Sequence, residues 1–260
     1  MKKYSVSIIT VNLNNKAGLL KTITSIQNQT FNEIDYIVID GGSTDGSKEL
    51  IEQTQFISKW VCEEDKGIYD AMNKGIALAT GEYLLFLNSG DCLHENATLE
   101  KVMPLLNQYD IIYGDLFFAD RLNPYIYHYP SELSFSFLFN ASLAHPATFI
   151  KRDLFGRFGK YDTRFQIAAD WAFFIKVIVL KSASTKHVKQ VISDFDTNGI
   201  SSKEENQLKI ANERKAILEI EFPLFYQDYL THANTLNTLE KIRSSSVFRF
   251  LKKIGVKKFQ

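Results

Sequence analysis

Cysteine is scarce in this chain of 260 residues: only Cys62 and Cys92 are present. Two thiols cannot build a disulfide scaffold, and these lack zinc-ligand spacing, so both are expected reduced in a cytosolic protein. An excess of either charge is also absent. The 30 Lys and Arg balance the 30 Asp and Glu, giving a net charge of +0. That excludes a whole-chain basic field for nucleic acid, though not a local patch. Long apolar runs are missing too. The longest, such as 173–180 with Lys176 inside it, fall far below the roughly 18 residues of a membrane span. The N-terminal MKKYSVSIITVNLNN has two lysines and a short apolar run but no small-residue cleavage site. It reads as a first buried strand and not as a signal peptide. The expected location is the cytoplasm, with at most a peripheral membrane contact.

What remains is ordinary globular composition, 45% hydrophobic and 23% charged. This excludes a disordered, collagen-like or coiled-coil chain. The length corresponds to about 1.7 domains, one large domain or one with an appendage. The first hundred residues alternate strand and helix patterns. Residues 5–11 are a β-branched run, and 16–27 place Leu19, Leu20, Ile23 and Ile26 at helical spacing behind a cap at Asn14 or Asn15. Further strands are expected at 36–40, 59–63 and 83–87, and helices from Ser47 to about Gln55, at 70–78 and at 95–107. Strands joined by crossover helices imply a parallel, doubly wound sheet. Ligands in such sheets bind beyond the carboxyl ends of the strands. The polar clusters fall there: Asn12, Asp40 to Asp45, Glu63 to Lys66, and Asn88 to Asp91.

From residue 110 the character changes. Residues 111–118 and 125–129 are aromatic strand-like runs around the turn Arg121-Leu122-Asn123-Pro124, which suggests an antiparallel hairpin. A Phe-rich amphipathic segment at 133–139, a strand at 145–150, a helix at 168–180 and a last strand at 186–195 follow. Residues 203–242 read as helical, with Pro223 as a break. The tail interleaves Lys241, Arg243, Arg249, Lys252, Lys253, Lys257 and Lys258 with Val247, Phe248, Phe250, Leu251, Ile254, Val256 and Phe259. A basic amphipathic helix of this kind can lie on an anionic leaflet. The alternative is a tail packed on a partner or frayed.

Several residues have the chemistry of a site. Asn88-Ser89-Gly90-Asp91 puts a carboxylate after a buried strand, where a hard divalent cation can be held through oxygens. Ser-Gly-Asp is also plain turn chemistry. In Asp40-Gly41-Gly42-Ser43-Thr44-Asp45-Gly46-Ser47, Gly41 and its neighbour let a ligand approach the backbone, and the free amides of the next helix suit anions. The loop is neither GxGxxG nor a Walker loop. Downstream, Asp70, Asn73 and Lys74 share one helix face, and Lys66 or Lys74 could meet a phosphate. A solvated face with an ion pair is the simpler alternative. Asp170 opens a helix, where it either complements the dipole or acts as a general base toward a cleft. Trp171 beside it suits core packing or a sugar platform. His145, before Pro146, is structural or lies near the same cleft.

Together these strings resemble the family 2 glycosyltransferases with the GT-A fold. The resemblance runs through Val6-Ser7-Ile8-Ile9-Thr10-Val11-Asn12, Ile39-Asp40 to Ser47, Asp65-Lys66-Gly67-Ile68-Tyr69-Asp70-Ala71-Met72-Asn73-Lys74-Gly75, and Ala79-Thr80-Gly81-Glu82-Tyr83 to Asp91. It is tight over 4–93, looser to about 200, and most similar to colanic-acid and capsule-type members. It implies an α/β GT-A fold: a Rossmann-like, mostly parallel sheet with flanking helices, a small hairpin in the acceptor half and a helical tail. Residues 1–107 would form the nucleotide-sugar half, 108–200 the acceptor half, and 201–260 a helical extension. It further implies that Asp40 contacts the base with Val11 and Asn12 flanking, that Asp65 faces the uridine, and that Gly41, Lys66, Asn73, Asn88 and Ser89 belong to the nucleotide site. Asp91 would be the metal carboxylate for Mg²⁺ or Mn²⁺, Asp170 the base of an inverting transfer, and His145 and Trp171 acceptor-side groups. The activity implied is transfer from a nucleotide-diphosphate sugar, a UDP-sugar first, to a saccharide or lipid-linked acceptor in bacterial surface polysaccharide synthesis. Three departures stand out, one of them Ala169 where the family has a Glu before the base. Gly41 replaces the family's second base-reading carboxylate, and the Asn88–Asp91 string has one carboxylate where the metal motif has two. Two other readings are open to the sequence. A sugar nucleotidyltransferase needs a basic glycine-rich loop where Asn12-Leu13-Asn14-Asn15 stand. A non-catalytic nucleotide-sugar-binding protein docked at a membrane would bind donor without turnover.

Overall fold

In the computed structural model, residues 5–119 and 123–255 are described. Arg121 and Leu122 of the expected turn, and Val256, Lys257, Lys258 and Phe259 of the tail, lie outside them. Strand β1 (Val6–Asn12) is buried along its whole length, as expected of a strand covered on both faces. It lies between β2 (Ile34–Asp40) and β4 (Tyr83–Phe86), with β3 (Lys59–Cys62) beyond β2, all parallel. The register pairs Asn12 with Asp40 and Asp40 with Cys62, which brings the polar strand ends to one edge. Beyond β4 the sheet turns mixed. β8 (Thr148–Lys151) is antiparallel to β4 and to β6 (Ile111–Phe118), and β6 is parallel to β9 (Thr185–Phe195). Two reversals return β9 to the direction of β1, so its carboxyl end faces the same edge. Two short strands complete the sheet: β5 (Cys92–Leu93) on β9 and β7 (Tyr125–Tyr127) on β6, the latter forming the expected hairpin.

The helices follow the expected pattern with identifiable adjustments. α1 (Lys16–Gln27) is capped by Asn15, whose Oδ1 accepts from the Gly18 N–H at 3.0 Å. α2 (Ser47–Gln53) and α3 (Ile68–Leu78) cross over between parallel strands. The expected helix 95–107 shortens to α4 (Thr98–Val102) and a 3₁₀ turn at Met103–Leu105 containing Pro104, which has no N–H to donate. α5 (Phe135–Asn140) takes up the Phe-rich segment. The expected strand at 145–150 starts only at Thr148, because His145–Ala147 is a 3₁₀ turn around Pro146. α6 (Arg152–Phe158) was not expected from the sequence. α7 (Ala169–Ile175) runs on as a wider π turn, Lys176–Leu180. α8 (Gln207–Glu221), α9 (Pro223–Ser244) and α10 (Ser246–Lys253) end the chain, with Pro223 in the first turn of α9, where a missing N–H is harmless. The chain forms two compact units, 1–211 and 212–260. The first contains the whole sheet. No described helix is long and apolar enough to cross a membrane.

At the edge opposite the polar strand ends, Asp35 is fully buried in β2. Its Oδ2 accepts from Ser7 Oγ at 2.8 Å, Thr80 N at 2.9 Å and Thr80 Oγ1 at 2.7 Å. Lys59 Nζ lies 3.2 Å from Oδ1 and also donates to Leu78 O at 2.8 Å. One carboxylate thus ties β1, β2, β3 and the end of α3 together. Burial pushes this carboxyl up, but the bonds from Thr80, Ser7 and Lys59 outweigh that and hold it below the ordinary carboxylate value. A lowered folded-state pKa contributes stability that is present above the unfolded value, about 3.9, and is lost as pH falls through the folded one. Asp35→Ala should therefore cost on the order of 2 kcal/mol at neutral pH, seen as a lower thermal midpoint whose gap to wild type narrows in acid. An unchanged midpoint at pH 7 would contradict this.

Candidate active site

The strand ends enclose a cleft of about 420 Å³. Its floor is organised by Asp40, which has no solvent exposure. Asp40 Oδ2 accepts from Asn12 Nδ2 and Ser43 Oγ, both at 2.7 Å. Oδ1 accepts from Gly42 N at 3.1 Å, Ser43 N at 2.8 Å and Cys62 Sγ at 3.2 Å. Burial raises this carboxyl, but the bonds from Asn12 and Ser43 prevail and lower it. Asn12 passes the order on: its Oδ1 accepts from Ser89 Oγ at 2.7 Å, and Asn15 Nδ2 holds Ser89 O at 3.0 Å. Val11, Asn12, Gly41, Asp65, Asn88 and Ser89 line the cleft. Asp40 does not. Its oxygens are engaged by the loop, so its place is beneath the site.

Two other expected nucleotide contacts point elsewhere. Asn73 clamps Tyr161, donating to its O at 2.8 Å and accepting from its N at 3.0 Å. Lys66 lines a neighbouring cavity of about 460 Å³, with Thr163, Asn206 and Lys209. Lys74 sits among carboxylates, 2.5 Å from Asp65, 2.8 Å from Glu63 and 3.7 Å from Asp70. Desolvation opposes its charge, but Asp65 and Glu63 outweigh that and raise its pKa. Its charge is thus already matched within the protein.

Asp91 is 3% exposed and faces the cleft. Burial and the charge of Asp196 push its carboxyl up to about 7, against the bond its Oδ1 accepts from Asp196 N at 2.9 Å. Asp196 lies just past the end of β9 and also lines the cleft. Gly90 makes that packing possible. Its φ is +110°, and a Cβ there would stand 2.4 Å from Asp196 Oδ2. Asn88 Oδ1 is buried and has no hydrogen-bond partner among the described residues. Two carboxylates and an orphaned amide oxygen are the donor set of a hard divalent cation, so the residues fit such an ion. Among the described residues no group of three or more His, Cys, Asp or Glu is placed to hold a metal ion, so the set here is two carboxylates completed by an amide oxygen. The sequence reading missed Asp196. Its signal was the strand-end rule that flagged Asn12 and Asp91, applied to β9.

Asp170, in the first turn of α7, lines the same cleft. Tyr69 Oη lies 2.7 Å from its Oδ1 and 2.6 Å from Ile167 O. His145 Nδ1 is 3.7 Å from its Oδ2, and His145 Nε2 is 3.0 Å from Tyr161 Oη. The imidazole is packed among Phe86, Phe174 and Tyr161. Burial lowers its pKa more than Asp170 raises it, so it is neutral. His145 borders the cleft but backs Asp170. Trp171 is the clear correction. It is 1% exposed and donates Nε1–H to Leu138 O at 2.6 Å, because one residue along the helix turns it about 100° from Asp170, toward the core and α5.

Comparison with known proteins now bears on this geometry. The pattern of the family described as "Glycosyl transferase family 2" matches residues 7–165. The chain belongs to glycosyl transferase family 2. A PGL/p-HBAD biosynthesis glycosyltransferase of Mycobacterium bovis (strain BCG / Pasteur 1173P2) is 32% identical over 203 residues, covering 74% of this chain and 77% of that protein. An uncharacterised glycosyltransferase of Mycobacterium tuberculosis (strain ATCC 25618 / H37Rv) is 31% identical over 210 residues, covering 77% of this chain and 78% of that one. Among solved structures, S. aureus TarS 1-349 in complex with UDP superposes with a TM-score of 0.64 at 15% identity, over 84% of this chain and 66% of that one. The mannosyltransferase PcManGT from Pyrobaculum calidifontis, in complex with GDP-Man and Mn²⁺, gives 0.58 at 17% identity, over 74% and 57%. This family 2 transferase thus has the GT-A fold and spans about two thirds or less of those solved chains.

The Gly90–Asp196 contact is directly testable. Gly90→Ala should displace the Asp196 carboxylate in a crystal structure and cost about 1–3 kcal/mol through the unfavourable φ. An unmoved Asp196 with an unchanged thermal midpoint would refute the packing argument.

Proposed function

We propose that this family 2 enzyme moves a sugar from a nucleotide-diphosphate donor, a UDP-sugar first, to a hydroxyl of a saccharide or lipid-linked acceptor, inverting the anomeric carbon. Bacterial surface polysaccharide synthesis is the process such a reaction serves. The observation carrying this is that one cleft is lined both by Asp91 with Asp196 and by Asp170. The pair suits a cation that meets the donor's anionic diphosphate, and Asp170 suits a base. The donors named for TarS and PcManGT support the nucleotide-sugar class. The base and ribose would lie along Val11, Asn12, Gly41 and Asp65. Asn88, Asp91 and Asp196 would hold Mg²⁺ or Mn²⁺, which when bound neutralises charge on the leaving diphosphate.

Asp170 acts on the acceptor. It takes the proton of the acceptor hydroxyl as that oxygen bonds to the anomeric carbon. The bond from that carbon to the diphosphate oxygen breaks, and the electron pair leaves with the diphosphate. One displacement inverts the carbon. Neither alternative gains support: no basic glycine-rich loop follows β1, and a binding-only protein has no use for a base at Asp170.

The second unit carries the membrane part of the reading. On α10 and just beyond it, Val247, Phe250 and Ile254 are exposed. They stand at i, i+3 and i+7, and Arg249, Lys252 and Lys253 occupy the opposite face. An apolar stripe backed by cations fits an anionic leaflet. Deleting residues 244–260 should abolish co-sedimentation with anionic liposomes. Undiminished binding would remove the tail from the account.

The enzymatic test is a binding and hydrolysis screen of UDP-, GDP- and dTDP-sugars with Mn²⁺, Mg²⁺ or EDTA. One donor should bind in a metal-dependent way, and Asp91→Ala should lose that binding. Asp170→Asn should bind donor normally and lower kcat by roughly 10²–10⁴, the scale of a general base. Wild-type turnover in Asp170→Asn, or no donor bound under any metal, would overturn the proposal.

A further inference from the structure

We propose that Tyr69 is a positioning residue for Asp170: it holds one carboxylate oxygen so that the other is presented to the acceptor hydroxyl. The inference rests on the reading of Asp170 as the base. Tyr69 is on α3, in the half that follows β3, and Asp170 is on α7, so the contact joins the two halves of the sheet unit. The phenol is 5% exposed, and its ring packs on Tyr161 with centroids 5.5 Å apart. A phenol has one proton, and here two acceptors lie within reach, Asp170 Oδ1 at 2.7 Å and Ile167 O at 2.6 Å. Its single proton is shared between the carboxylate and the turn of chain leading into α7. Burial, and next the charge of Asp170, raise the phenol well above its ordinary value, so it stays a donor throughout any assay range.

The opposite oxygen is treated differently. Asp170 Oδ2 faces His145 Nδ1 at 3.7 Å, which is longer than a hydrogen bond. His145 Nε2 is engaged by Tyr161 Oη at 3.0 Å, which orients the ring with Nδ1 on the Oδ2 side. Oδ1 is tethered and Oδ2 is guided without being bound. A carboxylate in that state has lost rotational freedom while one oxygen still accepts a proton, which is the preorganisation that a base needs.

The test measures donor hydrolysis with water as acceptor, using UDP-GlcNAc, UDP-Glc and GDP-Man. Tyr69→Phe removes only the hydroxyl. It should lower kcat by about 10- to 100-fold, the scale of a small misplacement, with donor KM within about twofold of wild type. In an Asp170→Asn background the same change should add no further loss, because the two groups act as one. A merely structural role predicts equal losses in both backgrounds, and that result overturns the proposal, as does wild-type kcat in Tyr69→Phe. Wild-type turnover in Asp170→Asn, or no hydrolysis of any donor, overturns the base or transferase reading instead. If Tyr69→Phe does not fold, fluorotyrosine at position 69 alters only the strength of the donor. An unchanged kcat there also overturns the proposal.

Discussion

A buried carboxylate must be answered by hydrogen bonds or it destabilises the fold. Asp40, at the end of a central strand, is answered by Asn12, Ser43, the backbone of Gly42 and Ser43, and Cys62. Meeting that demand shapes the whole floor of the cleft. The parallel register places Asn12 across from Asp40. The amide of Asn12 is thereby oriented, and its oxygen is left for Ser89. Ser89 then fixes the entry to the loop that carries Asp91. Given that register, the loop conformation and the position of the cleft carboxylate follow from one desolvated charge.

The same residue type performs opposite work across this sheet, and environment decides which. Asp35 and Asp40 are buried but amply bonded, so both stay ionised and structural. Asp91 is buried with little more than backbone bonds and a second carboxylate beside it, so its charge lacks a partner within the protein. That imbalance is what a cation would relieve. Asp170 is partly exposed and bracketed by a phenol and a neutral imidazole, an arrangement suited to exchanging a proton.

The fold was legible because its first half follows local rules. Periodicity located β1, α1, β2 and β6 to within about two residues, and crossover spacing implied the parallel order. Asn12, Asp65, Asn88, Asp91 and Asp170 stood out at strand ends and a helix start, and Val11 through the family resemblance; all six line one cleft. The failures have a common physical cause, in that contacts across long sequence separations leave no local pattern. Asp196 reaches Gly90 from beyond β9, more than a hundred residues away. Asn73 is engaged by Tyr161, and Trp171 by the α5 carbonyl of Leu138. A polar or aromatic residue in the right motif can still be turned inward by a partner that one segment alone does not disclose.

The central claim is that two separate strand ends form one donor site, with a cation between the carboxylates of Asp91 and Asp196. The most direct measurement is a crystal structure of the full chain grown with UDP and Mn²⁺. The account predicts anomalous density for manganese in contact with both carboxylates, the uridine along Val11, Asn12 and Asp65, and Asp170 free of the nucleotide. Manganese bound away from Asp196, or the nucleotide lodged outside this cleft, would contradict it.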